Sequence, residues 1–111
     1  MDRIAFFRDH LANEPEDRFA RYSLALELKK AGDPVEAEAQ LRRLLEHHPH
    51  SGAGHLQLGQ LLEEQERLAD AQEAYEAGLE ALSGLRDPDA RKARSELQQA
   101  VDAVEDKRLY G

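Results

Sequence analysis

Residues 24–49, LALELKKAGDPVEAEAQLRRLLEHHP, and residues 58–83, LGQLLEEQERLADAQEAYEAGLEALS, carry one pattern twice, 34 positions apart. Leu24, Ala25, Leu28, Ala37, Leu41 and Pro49 are echoed by Leu58, Gly59, Leu62, Ala71, Tyr75 and Ser83. Within each copy the apolar residues recur in steps of three and four, the period of a helix with one buried face. The first copy is interrupted at Gly32-Asp33-Pro34. Glycine takes the left-handed conformation that ends a helix, aspartate caps the next helix, and proline fits its first position. In the second copy Glu66 stands where the first has Gly32, so that turn is expected to close by another geometry and to be the looser of the two. A self-match at this period marks an array of helix hairpins, none of which can bury its own apolar flank alone.

Outward from these copies the pattern stays helical. Ile4, Phe7 and Leu11 predict an amphipathic helix over residues 4–12. Pro15 breaks it and suits the first turn of the next helix, expected over 16–31. The apolar residues there, Phe19, Tyr22, Leu24, Ala25, Leu26 and Leu28, cover more of the helix than one contact requires. One edge is therefore left to face a groove. Val35, Ala37, Leu41, Leu44 and Leu45 carry the third helix to His47 and His48 before Pro49. Ser51 is the next N-cap, and two further helices are expected over 52–64 and 68–82. Asp87 and Pro88 then open a last helix with a narrow stripe, Ala93, Leu97, Ala100 or Val101, and Val104, which suits an end cap. Residues 107–111 are expected to fray.

The chain has 111 residues, is 34% charged and 5% aromatic, and is rich in strong helix formers, which makes it all-α and of one-domain size. A hydrophobic content of 41% is too high for a disordered chain. The net charge of −8, from 23 acidic against 15 basic residues, opposes nucleic acid and anionic membrane as partners. Without cysteine there is no disulfide framework and no thiolate chemistry. The N-terminus lacks the sustained apolar run of a signal peptide, and no segment has the length of a membrane span, so a cytoplasmic location is expected.

Leu24-Ala25 with Leu28, Gly32, Ala37, Leu41 and Pro49, and Leu58-Gly59 with Leu62, Ala71, Tyr75 and Gly78, resemble the tetratricopeptide repeat. The departures are Leu44 at a position usually small, Ser83 for the closing proline, and the lack of a large aromatic at the start of helix A. One register earlier, Phe7 and Pro15 match the second helix of a half repeat, with Arg3 where a small residue is usual. The resemblance implies a right-handed superhelical stack of antiparallel helix hairpins, about six helices in all. Over 1–111 it divides the chain into an N-terminal capping helix at 2–14, repeats at 16–50 and 51–84, and a C-terminal capping helix at 87–108.

It also implies a concave ligand face built from the A helices. Carried over position by position, that face holds Phe19, Tyr22, Ser23, Leu26, Lys29 and Lys30, then Leu56, Gln57, Gln60, Glu63 and Glu64. The lysine and asparagine clamp of the family's chaperone-binding members is missing, because Tyr22, Leu26 and Gln57 stand there. The expected activity is non-enzymatic binding of a helical or extended peptide of another protein. The alternatives are that the C-terminal helix itself lies against the residues of that face, or that the chain is a structural unit in which exposed stripes pair two copies into a homodimer. His47, His48, His50 and His55 invite a metal reading, but Pro49 breaks the helix between His47 and His50, so no metal site and no cofactor are expected. The acidic residues lie on polar helix faces, and Ser51-Gly52-Ala53-Gly54 lacks the Gly-Lys-Ser/Thr ending of a phosphate loop, so no catalytic residues are expected.

Overall fold

The structure is a computed structural model, and it describes residues 2–111. Six α-helices follow one another: α1 (Arg3–Asn13), α2 (Arg18–Lys30), α3 (Pro34–His47), α4 (Gly52–Glu64), α5 (Leu68–Ala81) and α6 (Pro88–Tyr110). They form two compact units, divided between His48 and Pro49. In the first, α2 and α3 make a hairpin and α1 packs on α2. In the second, α4 and α5 make the hairpin, and α6 lies against both.

The two hairpins are the same object written twice. Arg18–Lys30 becomes Gly52–Glu64 and Pro34–His47 becomes Leu68–Ala81, every boundary displaced by 34 residues. Ala25 and Gly59 are each the eighth residue of their helix, Ala37 and Ala71 each the fourth, and all four are buried. The helix starts follow from chemistry at single positions. The Asp2, Asp17, Asp33, Ser51 and Asp87 side chains each accept a hydrogen bond from the backbone N–H three residues on, satisfying a donor that the helix itself leaves free. Asp17 also corrects the expected start of α2. Pro15 and Glu16 lie outside the helix, because the capping carboxylate sits two residues past the proline.

The turn at Glu66 is a second correction. It closes by the same geometry as the turn at Gly32. In the first hairpin Gly32 N–H donates to the Lys29 carbonyl and Asp33 N–H to that of Leu28; in the second, Glu66 does so to Glu63 and Arg67 to Leu62. Gly32 has φ +82° and Glu66 φ +60°, so a side-chain-bearing residue occupies the left-handed region that glycine takes without cost. The paired hydrogen bonds satisfy the last carbonyls of the helix and hold Glu66 there. A third correction concerns the C-terminus, where α6 continues in helical form through Tyr110.

In the second unit, side-chain size sets how closely the helices approach. A methyl group added at Gly59 would run into the Tyr75 ring, and one at Gly78 would lie 2.8 Å from His55 Cβ and 2.9 Å from Leu97 Cδ1. Tyr75 is fully buried in the space so created. In the first unit the corresponding pair is Ala25 and Leu41, a larger small residue with a smaller large one. At the start of α1, where a small residue is usual, Arg3 sets its guanidinium 5.9 Å from the Phe7 ring centroid and pairs with Glu27 Oε1 at 2.8 Å. A long side chain thus lies over the aromatic face.

The loops before the A-type helices are pinned from inside. Arg21, buried in α2, donates to the Pro15 carbonyl at 2.7 Å and to Gln40 Oε1 at 2.6 Å. Thirty-four residues on, buried His55 donates from Nε2 to the Pro49 carbonyl at 2.9 Å. Arg94 in α6 donates to the carbonyls of Leu82 and Leu85, each at 2.7 Å. The large aromatic missing from the start of helix A is replaced by side chains that tie down a backbone oxygen. Burial lowers the His55 pKa, outweighing the opposite pull of the Pro49 carbonyl, and keeps the ring neutral.

Three measurements check these points. Gly59→Ala should cost about 1–3 kcal/mol in urea denaturation, and Tyr75→Leu, which restores the pairing of the first hairpin, should recover part of it in the double variant. Glu66→Gly should raise stability by about 0.5–1 kcal/mol, while Gly32→Ala should lower it. Since the folded-state pKa of His55 lies below its unfolded value, the unfolded chain takes up the extra proton. Stability should therefore fall as pH drops through about 6.5 and level off below the folded pKa. Urea midpoints at pH 7.5 and 5.5 should show that fall in the wild type and a smaller one in His55→Gln.

Candidate interaction face

One flank of α2 is left uncovered in a pattern that its sequence dictates. Leu24, Ala25 and Leu28 turn inward and are buried, which sends Phe19, Tyr22, Ser23, Leu26, Lys29 and Lys30, spaced three and four apart, to the opposite side. Phe19 is 73% exposed, Lys30 is exposed, and Tyr22, Ser23, Leu26 and Lys29 are half-buried. A fully apolar stripe and a partly wet apolar stripe thus share one helix. Beside the second, Glu27 pairs with Arg3 and lies 3.9 Å from Lys30 Nζ.

The equivalent flank of α4 is less apolar. Leu56 stands at the position of Tyr22, Gln57 at that of Ser23 and Gln60 at that of Leu26. Leu56 and Gln57 are half-buried and Gln60 is exposed. No acidic or permanently charged side chain occurs in α4 before Glu63, and the one imidazole, His55, is turned inward. The central part of this flank therefore offers amide groups and one leucine.

Glu63 stands apart from the other residues expected on the face. Its carboxylate accepts the Tyr75 hydroxyl proton through one oxygen and the Lys107 ammonium at 2.7 Å through the other. Burial works to raise the Glu63 pKa, and the hydrogen bonds from Lys107 and Tyr75 outweigh it, leaving the carboxyl below its ordinary value. Burial, then Glu63, pushes Tyr75 strongly upward, and the same bond raises Lys107. Glu63 thus anchors α5 and α6 as well as marking the end of the α4 flank. Nothing in the sequence signals this link, since Lys107 lies 44 residues away.

The histidines go to separate tasks. His47 lies 3.3 Å from a Glu16 carboxylate oxygen, His48 donates to the Glu16 carbonyl at 2.8 Å, and His10 holds Asp17 at 2.7 Å, so all three secure the loop between α1 and α2. His55 belongs to the second unit. Among the described residues no group of three or more histidine, aspartate or glutamate side chains is arranged to hold a metal ion. Among them, too, no helix is long and apolar enough to cross a membrane.

Comparison with known proteins agrees with this geometry. The family model described as tetratricopeptide repeat matches residues 28–97. No curated protein matches the chain. Among solved structures, the solution structure of a tetratricopeptide repeat domain protein from Salinibacter ruber is 33% identical, with a TM-score of 0.75, covering 87% of this chain and 95% of that one. A crystal structure of a tetratricopeptide repeat domain protein from the same organism is 34% identical with a TM-score of 0.69, covering 80% and 97%. The Yersinia enterocolitica type III secretion chaperone SycD, in complex with a peptide of the translocator YopD, reaches a TM-score of 0.81 at 12% identity, over 95% of this chain and 79% of that one. That last likeness is one of fold. With paired hairpins of 34-residue period, small residues at Ala25, Ala37, Gly59 and Ala71, and a family match that runs from the end of α2 through α3, α4 and α5 into α6, this chain belongs to the tetratricopeptide repeat family.

Proposed function

We propose that this protein captures an amphipathic helix or an extended segment of another protein along the outward flanks of α2 and α4. The family architecture implies a ligand face built from the A-type helices, to which each flank belongs on this reading. Tyr22, Leu26 and Leu56 are the apolar anchors, Phe19 widens the apolar contact, and Lys29, Lys30, Gln57 and Gln60 set the register of the bound segment. The protein is a non-enzymatic scaffold working in the cytoplasm.

The observation that carries the reading is the second apolar stripe of α2, where Phe19 is exposed and Tyr22 and Leu26 are only half-buried although the first stripe already fills the hairpin. Aromatic and leucine side chains left at the surface in helical register are what a helix-in-groove or extended-peptide contact uses. The amides of Gln57 and Gln60 match the backbone donors and acceptors of such a segment. The family supplies protein-interaction modules, and SycD, of the same fold, has been solved with a peptide.

A Leu26→Glu, Leu56→Glu double variant tests this against the wild type as bait in extract of the native host. Each anchor at the centre of an interface contributes roughly 2 kcal/mol, so the double variant should lose the proteins that the wild type retains, with unchanged helicity by circular dichroism. Undiminished capture, or an equal loss of helicity showing that the two leucines are core, would overturn the reading. A wild type whose mass doubles with concentration in sedimentation, and which retains only itself, would replace it with pairing of two copies.

A further inference from the structure

The α6 helix runs for 23 residues, yet its last buried side chain is Val104. From Glu105 to Tyr110 it remains helical while every residue is exposed. Polar bonds hold this stretch to the rest of the unit. Lys107 donates to Glu63 at 2.7 Å, Arg108 Nη1 donates to Gln72 Oε1 at 2.7 Å, and Gln72 Nε2 donates to Glu105 at 3.3 Å. Bonds of this kind at a surface hold weakly and are screened by salt, and a helix end without buried side chains opens locally. Glu63 is shielded where Lys107 is open to solvent. Its side chain is 16% exposed and held by the hydroxyl of fully buried Tyr75, whereas the Lys107 side chain is 57% exposed.

We propose that residues 105–110 are a displaceable strap over the C-terminal end of the α4 flank, and that Lys107 occupies the place of a cationic side chain of the partner segment, which takes over Glu63 on binding. This rests on the preceding reading that the α4 flank receives a partner. Charge points to the sign of that side chain. Residues 49–111 hold 13 Asp and Glu against 7 Lys and Arg, and Glu63 is followed by Glu64 and Glu66, so an approaching cation is attracted and an approaching carboxylate repelled. A lysine or arginine of the partner meets an acceptor already oriented by Tyr75. Its competitor is an ammonium on a helix end that no apolar burial secures.

Amide hydrogen exchange and NMR titration of the full chain with trilysine amide test the proposal. The amides of 105–110 should exchange much faster than those of 97–104, and about 0.5 M NaCl should speed the first group alone. Trilysine amide should shift the Glu63 resonances, and Lys107→Met should tighten its binding roughly three- to tenfold relative to Lys92→Met, which removes the same charge from another exposed site on α6. Glu63→Gln should abolish the effect. Equal protection of 105–110 and 97–104 would overturn the strap, whatever the pull-down with the Leu26 and Leu56 variant returns. Equal tightening by Lys107→Met and Lys92→Met would reduce the effect to bulk charge. An unshifted Glu63, with the strap open, would overturn the cationic partner.

Discussion

The Tyr75 ring lies so close to the backbone of α4 that Gly59 has no room for a methyl group, and the second unit is organised around that contact. A large residue on one helix and the smallest on its partner bring the two backbones together and leave the ring without solvent. The same device recurs at Gly78, where α5 admits His55 and Leu97, and at Gly52, where an added Cβ would lie 2.5 Å from Ala93 Cβ. The second hairpin and α6 are thus drawn together by glycines set into helices, where each carries a conformational cost of roughly 1 kcal/mol relative to alanine. Close packing of apolar surface offsets that cost.

The inward demand explains the outward face. In a helix of 13 residues, positions such as Leu24, Ala25 and Leu28 fix one side, and whatever lies opposite is released from the core. Polar staples free that side further. Arg21, His55 and Arg94 each hold a loop carbonyl from within, so the loops before the A-type helices stay ordered without drawing on the outward residues. The outward flanks of α2 and α4 then differ in chemistry while sharing a register, Tyr22 against Leu56 and Leu26 against Gln60. Such a fold can vary its outward face without changing its core.

Much of this was legible in the chain itself. The 34-residue period gave equivalent positions, and short-range capping chemistry at Asp33, Ser51 and Asp87 gave helix starts that the structure reproduces. Where reading failed, the cause was an interaction that sequence spacing does not carry. Glu66 argued for a different turn because left-handed backbone normally calls for glycine, yet two backbone hydrogen bonds hold it in the same geometry as Gly32. The role of Arg21 carries no sequence signal because its partner is a carbonyl, and a carbonyl leaves no mark on residue identity. The last turns of α6 were expected to fray, and the Lys107 and Arg108 bonds that hold them reach across 44 and 36 residues. The apolar excess of Phe19, Tyr22 and Leu26 on α2 was legible in its own periodicity, whereas the rest of the outward face was legible only through the family resemblance, and its residues enter as a proposal.

The account stands on the packing of paired helices at the small positions of the repeat. Aromatic ring currents report this directly: in a proton NMR spectrum of the native chain, the Gly59 Hα resonances should be displaced well upfield and show nuclear Overhauser effects to the Tyr75 ring protons. Gly59 Hα shifts at ordinary helical values, with no such effects, would place the ring elsewhere and contradict the account.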